Sequence, residues 1–266
     1  MLALLASVLT LLPNLPQASS DWILTFSDEF TGPAGSEADP AKWKHDVGAW
    51  GWGNHELEDY TEGKSNCFLD GEGHLVIEAR KEASGGAKPH YTSARIKTEG
   101  QFSQAYGRFE ARMKLPKGQG IWPAFWTLGA DISTVGWPTC GEIDIMEYKG
   151  QNPQTQIGTA HGPGYSGGMG KSGRTSIEKG TLADDYHVYA IEWEPGEIRW
   201  YLDDKMYHKE DALSVGHNRW VFNHPFFMIL NLAVGGGFVG SPDDTTVFPQ
   251  RLMVDYVRVY RSAKKL

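Results

Sequence analysis

Three carboxylates, Glu142, Asp144 and Glu147, fall within the run GEIDIMEYKG from Gly141 to Gly150, whose neighbouring side chains are largely apolar. Carboxylates this close can work on one bond. One protonates a leaving oxygen while another stabilises or traps the electron-poor carbon left behind, which is what breaking a glycosidic bond requires. Crowded negative charge also makes at least one of the three hold its proton more tightly than a free carboxylate, as a general acid working near neutral pH must. A solvated acidic face on an edge strand is the competing reading. Trp122, Trp126 and Trp137 stand nearby in sequence, and a charged edge is not normally flanked by large apolar rings.

The spacing poses a geometrical problem. In a β-strand Glu142 and Asp144 share one face, Ile143 and Ile145 the other, and Glu147 has the wrong parity to join the first two. A β-bulge at Ile145 or Met146 would turn Glu147 back, and bulges are enriched beside active sites. A retaining reaction needs roughly 5 to 5.5 Å between the two working carboxyls. Four strand steps of about 3.3 Å would leave the two backbones ~13 Å apart. The bulge, a concave sheet and two long side chains must close that gap.

The elements that would carry such a strand read as β throughout. Between Tyr106 and Leu115, Arg108, Glu110, Arg112 and Lys114 alternate with Phe109, Ala111, Met113 and Leu115, the pattern of a half-buried antiparallel strand. Tyr186–Glu194, Ile198–Asp203, Phe226–Val234 and Leu252–Tyr260 are rich in β-branched and aromatic residues and bounded by turn formers. Asp70-Gly71 and Asp203-Asp204 carry hairpin chemistry. Past the first 20 residues, no window of ten or more has an amphipathic helical period. The fold class is therefore all-β, a sandwich or a barrel, with a jelly roll of two large sheets favoured. The aromatic loops Gly48–Tyr60 and Ile132–Thr139 are long enough to be functional.

Composition bounds the ligand. The chain has 266 residues, 40% of them hydrophobic, with 32 Gly, 10 Trp, 11 Tyr and 11 Phe, enough for one large domain over 21–266. A net charge of −8 without a basic cluster argues against a nucleic-acid partner, and neutral ligands fit better. Residues 1–20 carry no charged side chain and an apolar run from Leu2 to Leu12, resembling a signal peptide cleaved after Ser20; a leader of another kind is the alternative. A secreted, extracellular protein is expected, and no later segment could span a membrane. Cys67 and Cys140 could form one bridge or remain two buried thiols. The nine histidines show no HExxH spacing, so a zinc site is not expected. Gly170-Lys171-Ser172 mimics the end of a P-loop, but Tyr165 stands where that motif needs glycine and no helix pattern follows.

The run from Gly120 to Gly150, GIWPAFWTLGADISTVGWPTCGEIDIMEYKG, resembles the catalytic region of glycoside hydrolase family 16, in particular its bacterial laminarinase-like endo-β-1,3-glucanases. So do SDEF (Ser27–Phe30), GWGNHELEDY (Gly51–Tyr60), TSARIKT (Thr92–Thr98), GTAHGPGYSGG (Gly158–Gly168), NLAVGG (Asn231–Gly236) and VDYVRVY (Val254–Tyr260). The resemblance implies a curved, concanavalin A-like β-jelly roll with an open sugar cleft on its concave sheet. It implies Glu142 as nucleophile, Glu147 as acid/base and Asp144 as the residue that tunes the nucleophile, in a retaining mechanism. Met146 places the chain with the family's ExDxxE, bulged group, which holds laminarinases and marine galactanases, and apart from the ExDxE lichenases.

By the same resemblance Trp52, Asn54, Glu56, Arg95, Trp122, Trp126, Trp137 and Asn231 face the substrate. His161 is expected to hydrogen-bond the substrate or the acid/base. Core packing is the ordinary role of a tryptophan, and it is the role expected of Trp193 and Trp200. An ion pair is the ordinary role of an Arg such as Arg95. Glu29, Gly71 and Asp255 match positions that bind a structural calcium on the convex side, and oxygen ligands suit that cation. No cofactor is needed for catalysis. The expectation is a monomeric hydrolase of β-1,3-glucan, with mixed β-1,3/1,4-glucans as a further substrate class. A β-agarase or κ-carrageenase type of galactanase, or a non-catalytic β-glucan recognition protein, are the alternatives.

Overall fold

The computed structural model describes residues 21–83 and 90–264. The leader expected over residues 1–20 lies outside the described residues.

Alternation shapes the outer sheet. In the strand Gly107–Lys114, Phe109, Ala111 and Met113 are buried while Arg108, Arg112 and Lys114 are partly exposed. This strand lies inside a ten-stranded sheet. Its order is Lys205–Asp211, Glu197–Leu202, His187–Glu194, Gly107–Lys114, Gln250–Ser262, Leu75–Glu82, His90–Ser93 and Glu58–Tyr60. Trp22–Asp28 adds to Gln250–Ser262, and Cys67–Leu69 to Leu75–Glu82. Pairing is antiparallel except between Glu58–Tyr60 and His90–Ser93. The turn Asp203-Asp204 joins two of these strands with both residues left-handed, φ 49° and 61°, the geometry of a two-residue type I′ hairpin.

The second sheet has seven strands in the order Lys171–Ser176, Thr155–His161, Glu142–Tyr148, Ile121–Gly129, Phe226–Val234, Arg95–Lys97 and Lys44–Asp46, all antiparallel. The two sheets stack as the jelly-roll sandwich read from the sequence, and their facing side chains form the core. Trp193 and Trp200 sit in it, fully buried. Helix is confined, among the described residues, to one turn at Ile132–Val135 and two 3₁₀ turns. The loop read from Ile132 to Thr139 thus begins helical, and the loop read from Gly48 to Tyr60 ends in the short strand Glu58–Tyr60. Cys67 and Cys140 are both free and buried, the two-thiol alternative.

Candidate active site

Parity in the central strands decides what faces outward from the seven-stranded sheet. In Phe226–Val234 every residue is buried, as for a strand covered on both faces. Phe226, Met228, Leu230, Leu232 and Val234 join the sandwich core, while Phe227 and Ile229 form a second cluster with Leu128 and Cys140 on the opposite side. Asn231 shares that opposite parity. In Ile121–Gly129, Ile121 and Phe125 point into the core, whereas Trp122, Ala124, Trp126 and Leu128 line a cleft of about 980 Å³.

The acids reach this cleft through a bulge. Against Ile121–Gly129, Asp144 faces Trp126 and Met146 faces Phe125, leaving Ile145 without a partner. Against Thr155–His161, Asp144 faces Thr159 and Glu147 faces Ile157, so Ile145 and Met146 together span Gly158. Both side chains of the bulge are completely buried in the core. Glu147 therefore emerges on the same side as Glu142 and Asp144, and all three line the cleft.

Each glutamate is held by an indole. Trp137 Nε1 donates to Glu142 Oε2 at 2.8 Å, and Trp122 Nε1 donates to Glu147 Oε1 at 3.2 Å. His161 is expected near the substrate or Glu147. It lines the cleft, and its Nε2 lies on Asp144 and Glu142 rather than on Glu147, 3.1 Å from Asp144 Oδ2 and 3.7 Å from Glu142 Oε1. Burial pushes all three carboxyls above the usual carboxylate range. Glu147 goes well above it, because Asp144 and Glu142 add like-charge repulsion to its burial. The pocket cannot hold three negative charges near neutral pH, so it stores protons. Glu142 accepts from Trp137 on one oxygen and has the His161 ring 3.7 Å from the other, and both neighbours favour its charge.

A second network runs under the cleft. Trp126 Nε1 donates to Asn231 Oδ1 at 2.7 Å, Asn231 Nδ2 to Tyr60 Oη at 3.0 Å, and Tyr60 Oη to Glu56 Oε2 at 3.1 Å. Glu56 Oε1 in turn accepts from Asn54 Nδ2 at 2.9 Å. Asn54 and Asn231 border the cleft, but Glu56 does not: its carboxylate braces Asn54 and Tyr60. Arg95 lines the cleft and also makes the ion pair weighed for it. Its Nε lies 2.9 Å from Asp46 Oδ2, while its guanidinium stands 4.8 Å from the Trp52 ring and 4.7 Å from the Trp126 ring. Trp52 and Trp137 also line the cleft.

Sequence reasoning missed several neighbours. Trp50 and Phe238 border the cleft, and Phe238 packs on Trp122 with ring centroids 4.8 Å apart. Trp50 lay within the loop singled out as functional, and its exposure was the part no pattern disclosed. Asp46 has no sequence signal, because it meets Arg95 only through the pairing of Lys44–Asp46 with Arg95–Lys97.

The calcium-matched residues lie away from the cleft lining. Both Glu29 oxygens accept from Arg258, at 2.8 and 2.7 Å, and Asp255 Oδ2 accepts from Arg112 at 2.6 Å. Gly71 stands in the turn between Cys67–Leu69 and Leu75–Glu82. The carboxylates of Glu29 and Asp255 are thus already paired with guanidinium groups.

Known proteins are similar to this chain in sequence and fold. The chain is 47% identical over 249 residues to the beta-glucanase of Rhodothermus marinus, covering 90% of this chain and 85% of that protein. It superposes on the laminarinase catalytic domain of Thermotoga maritima MSB8 with a TM-score of 0.85 at 49% identity, covering 92% of this chain and 100% of that one. The endo-beta-1,3-glucanase of Pyrococcus furiosus gives a TM-score of 0.87 at 45% identity, covering 96% and 100%. Residues 54–258, which hold the carboxylate strand and its flanking cleft walls, match the model of glycosyl hydrolases family 16, and the chain belongs to that family.

Proposed function

We propose that this chain is a retaining endo-hydrolase of β-1,3-glucans, with Glu147 as acid/base and Glu142 as nucleophile. The observation that carries the reading is the bulge at Ile145–Met146, which sets both glutamates into one tryptophan-lined cleft, each clasped by an indole N–H. The glucan specificity draws support from the relatives' named substrates.

In the first half-reaction the Glu147 carboxyl gives its proton to the glycosidic oxygen, the bond from that oxygen to the anomeric carbon breaks, and a Glu142 oxygen bonds to that carbon. In the second, the Glu147 carboxylate takes a proton from water, the water oxygen bonds to the anomeric carbon, and Glu142 leaves as carboxylate. The raised proton affinity of Glu147 suits the first role. Asp144 and His161 flank Glu142 and adjust its charge between the two halves. Trp122 and Trp126 offer flat faces on which pyranose rings can stack.

The test is release of reducing sugar from laminarin, lichenan and agarose by the wild type, Glu142→Gln and Glu147→Gln. Laminarin cleavage is expected, falling by about 10³-fold or more in either variant. Cleavage of agarose but not laminarin would overturn the substrate, and activity surviving in both variants would overturn the mechanism. Retention is read separately by NMR of the first-formed anomer, expected to be β.

A further inference from the structure

Trp50 is 66% exposed, an unusual state for so large an apolar ring. It borders the cleft and packs on Trp52 with ring centroids 3.9 Å apart. Contacts continue inward from Trp52 to the Arg95 guanidinium and from there to Trp126. The four side chains thus form a row that leads from the exposed ring toward the catalytic strand, since Trp126 pairs with Asp144. One face of Trp50 is supported by Trp52, and the ring remains largely open to solvent.

The loop beneath is built to hold this pose. A Cβ on Gly48 would come within 2.0 Å of the Trp50 ring, so glycine there, at φ 133°, is what lets the indole lie across the backbone. Trp52 Nε1 donates to Gly48 O at 3.1 Å, tying the second indole to the same point. Trp52 itself is left-handed, φ 50°, a conformation that strains a bulky residue and clusters at functional sites. Both ends are fastened: Gly48 and Tyr60 exchange two main-chain hydrogen bonds, Leu57 N donates to Val234 O, and Gly237 N donates to Asn54 O. A loop so anchored presents its aromatic face without ordering cost when a ligand arrives.

We propose that Trp50 is a sugar-stacking platform at the outer end of the cleft, taking one further pyranose unit of a β-glucan chain beyond those that Trp52 and Trp126 reach. The proposal rests on the glucanase reading above and extends the cleft by a binding position. Continuity with the cleft identifies the occupant: a chain lying along Trp126, Arg95 and Trp52 meets the Trp50 ring next. Its apolar face matches the C–H face of a pyranose ring, and it offers no charge to hold a sulfated sugar.

The test compares kcat/KM over β-1,3-gluco-oligosaccharides of increasing length for the wild type, Trp50→Ala and Trp50→Phe. In the wild type kcat/KM rises through the length that first reaches Trp50. In Trp50→Ala the ratio of kcat/KM on long chains to that on short ones falls roughly tenfold, equivalent to about 1.4 kcal/mol of binding, and Trp50→Phe recovers part of it. Loss of the same factor at every length, or no loss at any length, overturns the proposal. A wild type that cleaves no β-1,3-glucan overturns the functional reading and this occupant together. A normal wild-type length series with an unchanged Trp50→Ala series sinks the platform alone.

Discussion

The indole Nε1 of Trp200 donates a 2.8 Å hydrogen bond to the main-chain carbonyl of Asp144, across the interior of the sandwich. Trp200 belongs to the ten-stranded sheet and Asp144 to the strand that carries the acids. The bond lands where the bulge begins, and it satisfies a buried carbonyl next to the point at which Ile145 drops out of the ladder. Gly158, opposite the bulge, makes room for it: a Cβ there would lie 2.3 Å from Trp200 Cδ1 and 2.5 Å from Tyr207 Oη. A core tryptophan of one sheet thus ties down the acid-bearing strand of the other.

Trp200→Phe keeps an aromatic ring but leaves that carbonyl without its donor. We expect a loss of about 1–3 kcal/mol in denaturant unfolding. A fall of about 10–100-fold in kcat with little change in KM is also expected, because the shift displaces Glu147 rather than the sugar-binding rings. Gly158→Ala should act in the same direction by pushing the indole away. An unchanged kcat in both variants would show that the bulge holds without this bond.

Asp144→Asn removes a negative charge that raises the proton affinity of both glutamates. Glu147 then loses its proton more readily, so the alkaline limb of the kcat/KM profile should move to lower pH. A limb that stays in place or moves up, measured across a pH series on laminarin, contradicts the assignment of that limb to Glu147.

Glu147 keeps its proton in the folded protein at pH values where the unfolded chain has lost it. The folded state therefore binds more protons, and stability falls as pH rises above the unfolded carboxyl value toward the raised folded one. Glu147→Gln removes this penalty. It should raise Tm near pH 8 by roughly 2–4 °C per ~1 kcal/mol relieved and change it less near pH 4. Scanning calorimetry at both pH values decides it, and a variant no more stable at the higher pH counts against a buried, proton-holding Glu147.

Glu29, Gly71 and Asp255 lie outside the cleft lining, so a calcium ion held there would act on the fold alone. Were calcium held there, chelation would lower Tm and leave kcat unchanged well below the transition. A loss of kcat on chelation at such a temperature, reversed by calcium, would place a cation in the reaction itself.

Sequence determined a good deal of this protein. Local alternation at Phe109, Ala111 and Met113 marked a half-buried strand, and the order of β-rich runs marked a sandwich, because side-chain parity is a property of neighbouring residues. The parity conflict among Glu142, Asp144 and Glu147 even called for a bulge, and the bulge lies at Ile145–Met146. What the tertiary structure decided are relationships between residues far apart in the chain. Only the fold brings Asp46 beside Arg95, turns His161 toward Asp144 and Glu142, makes Glu56 a brace rather than a cleft wall, and gives Trp50 an open face. Trp200 is the clearest case. Its composition and pattern read as ordinary core, and so it is, yet the direction of one N–H across the sandwich depends on where two sheets stack, which no local pattern encodes.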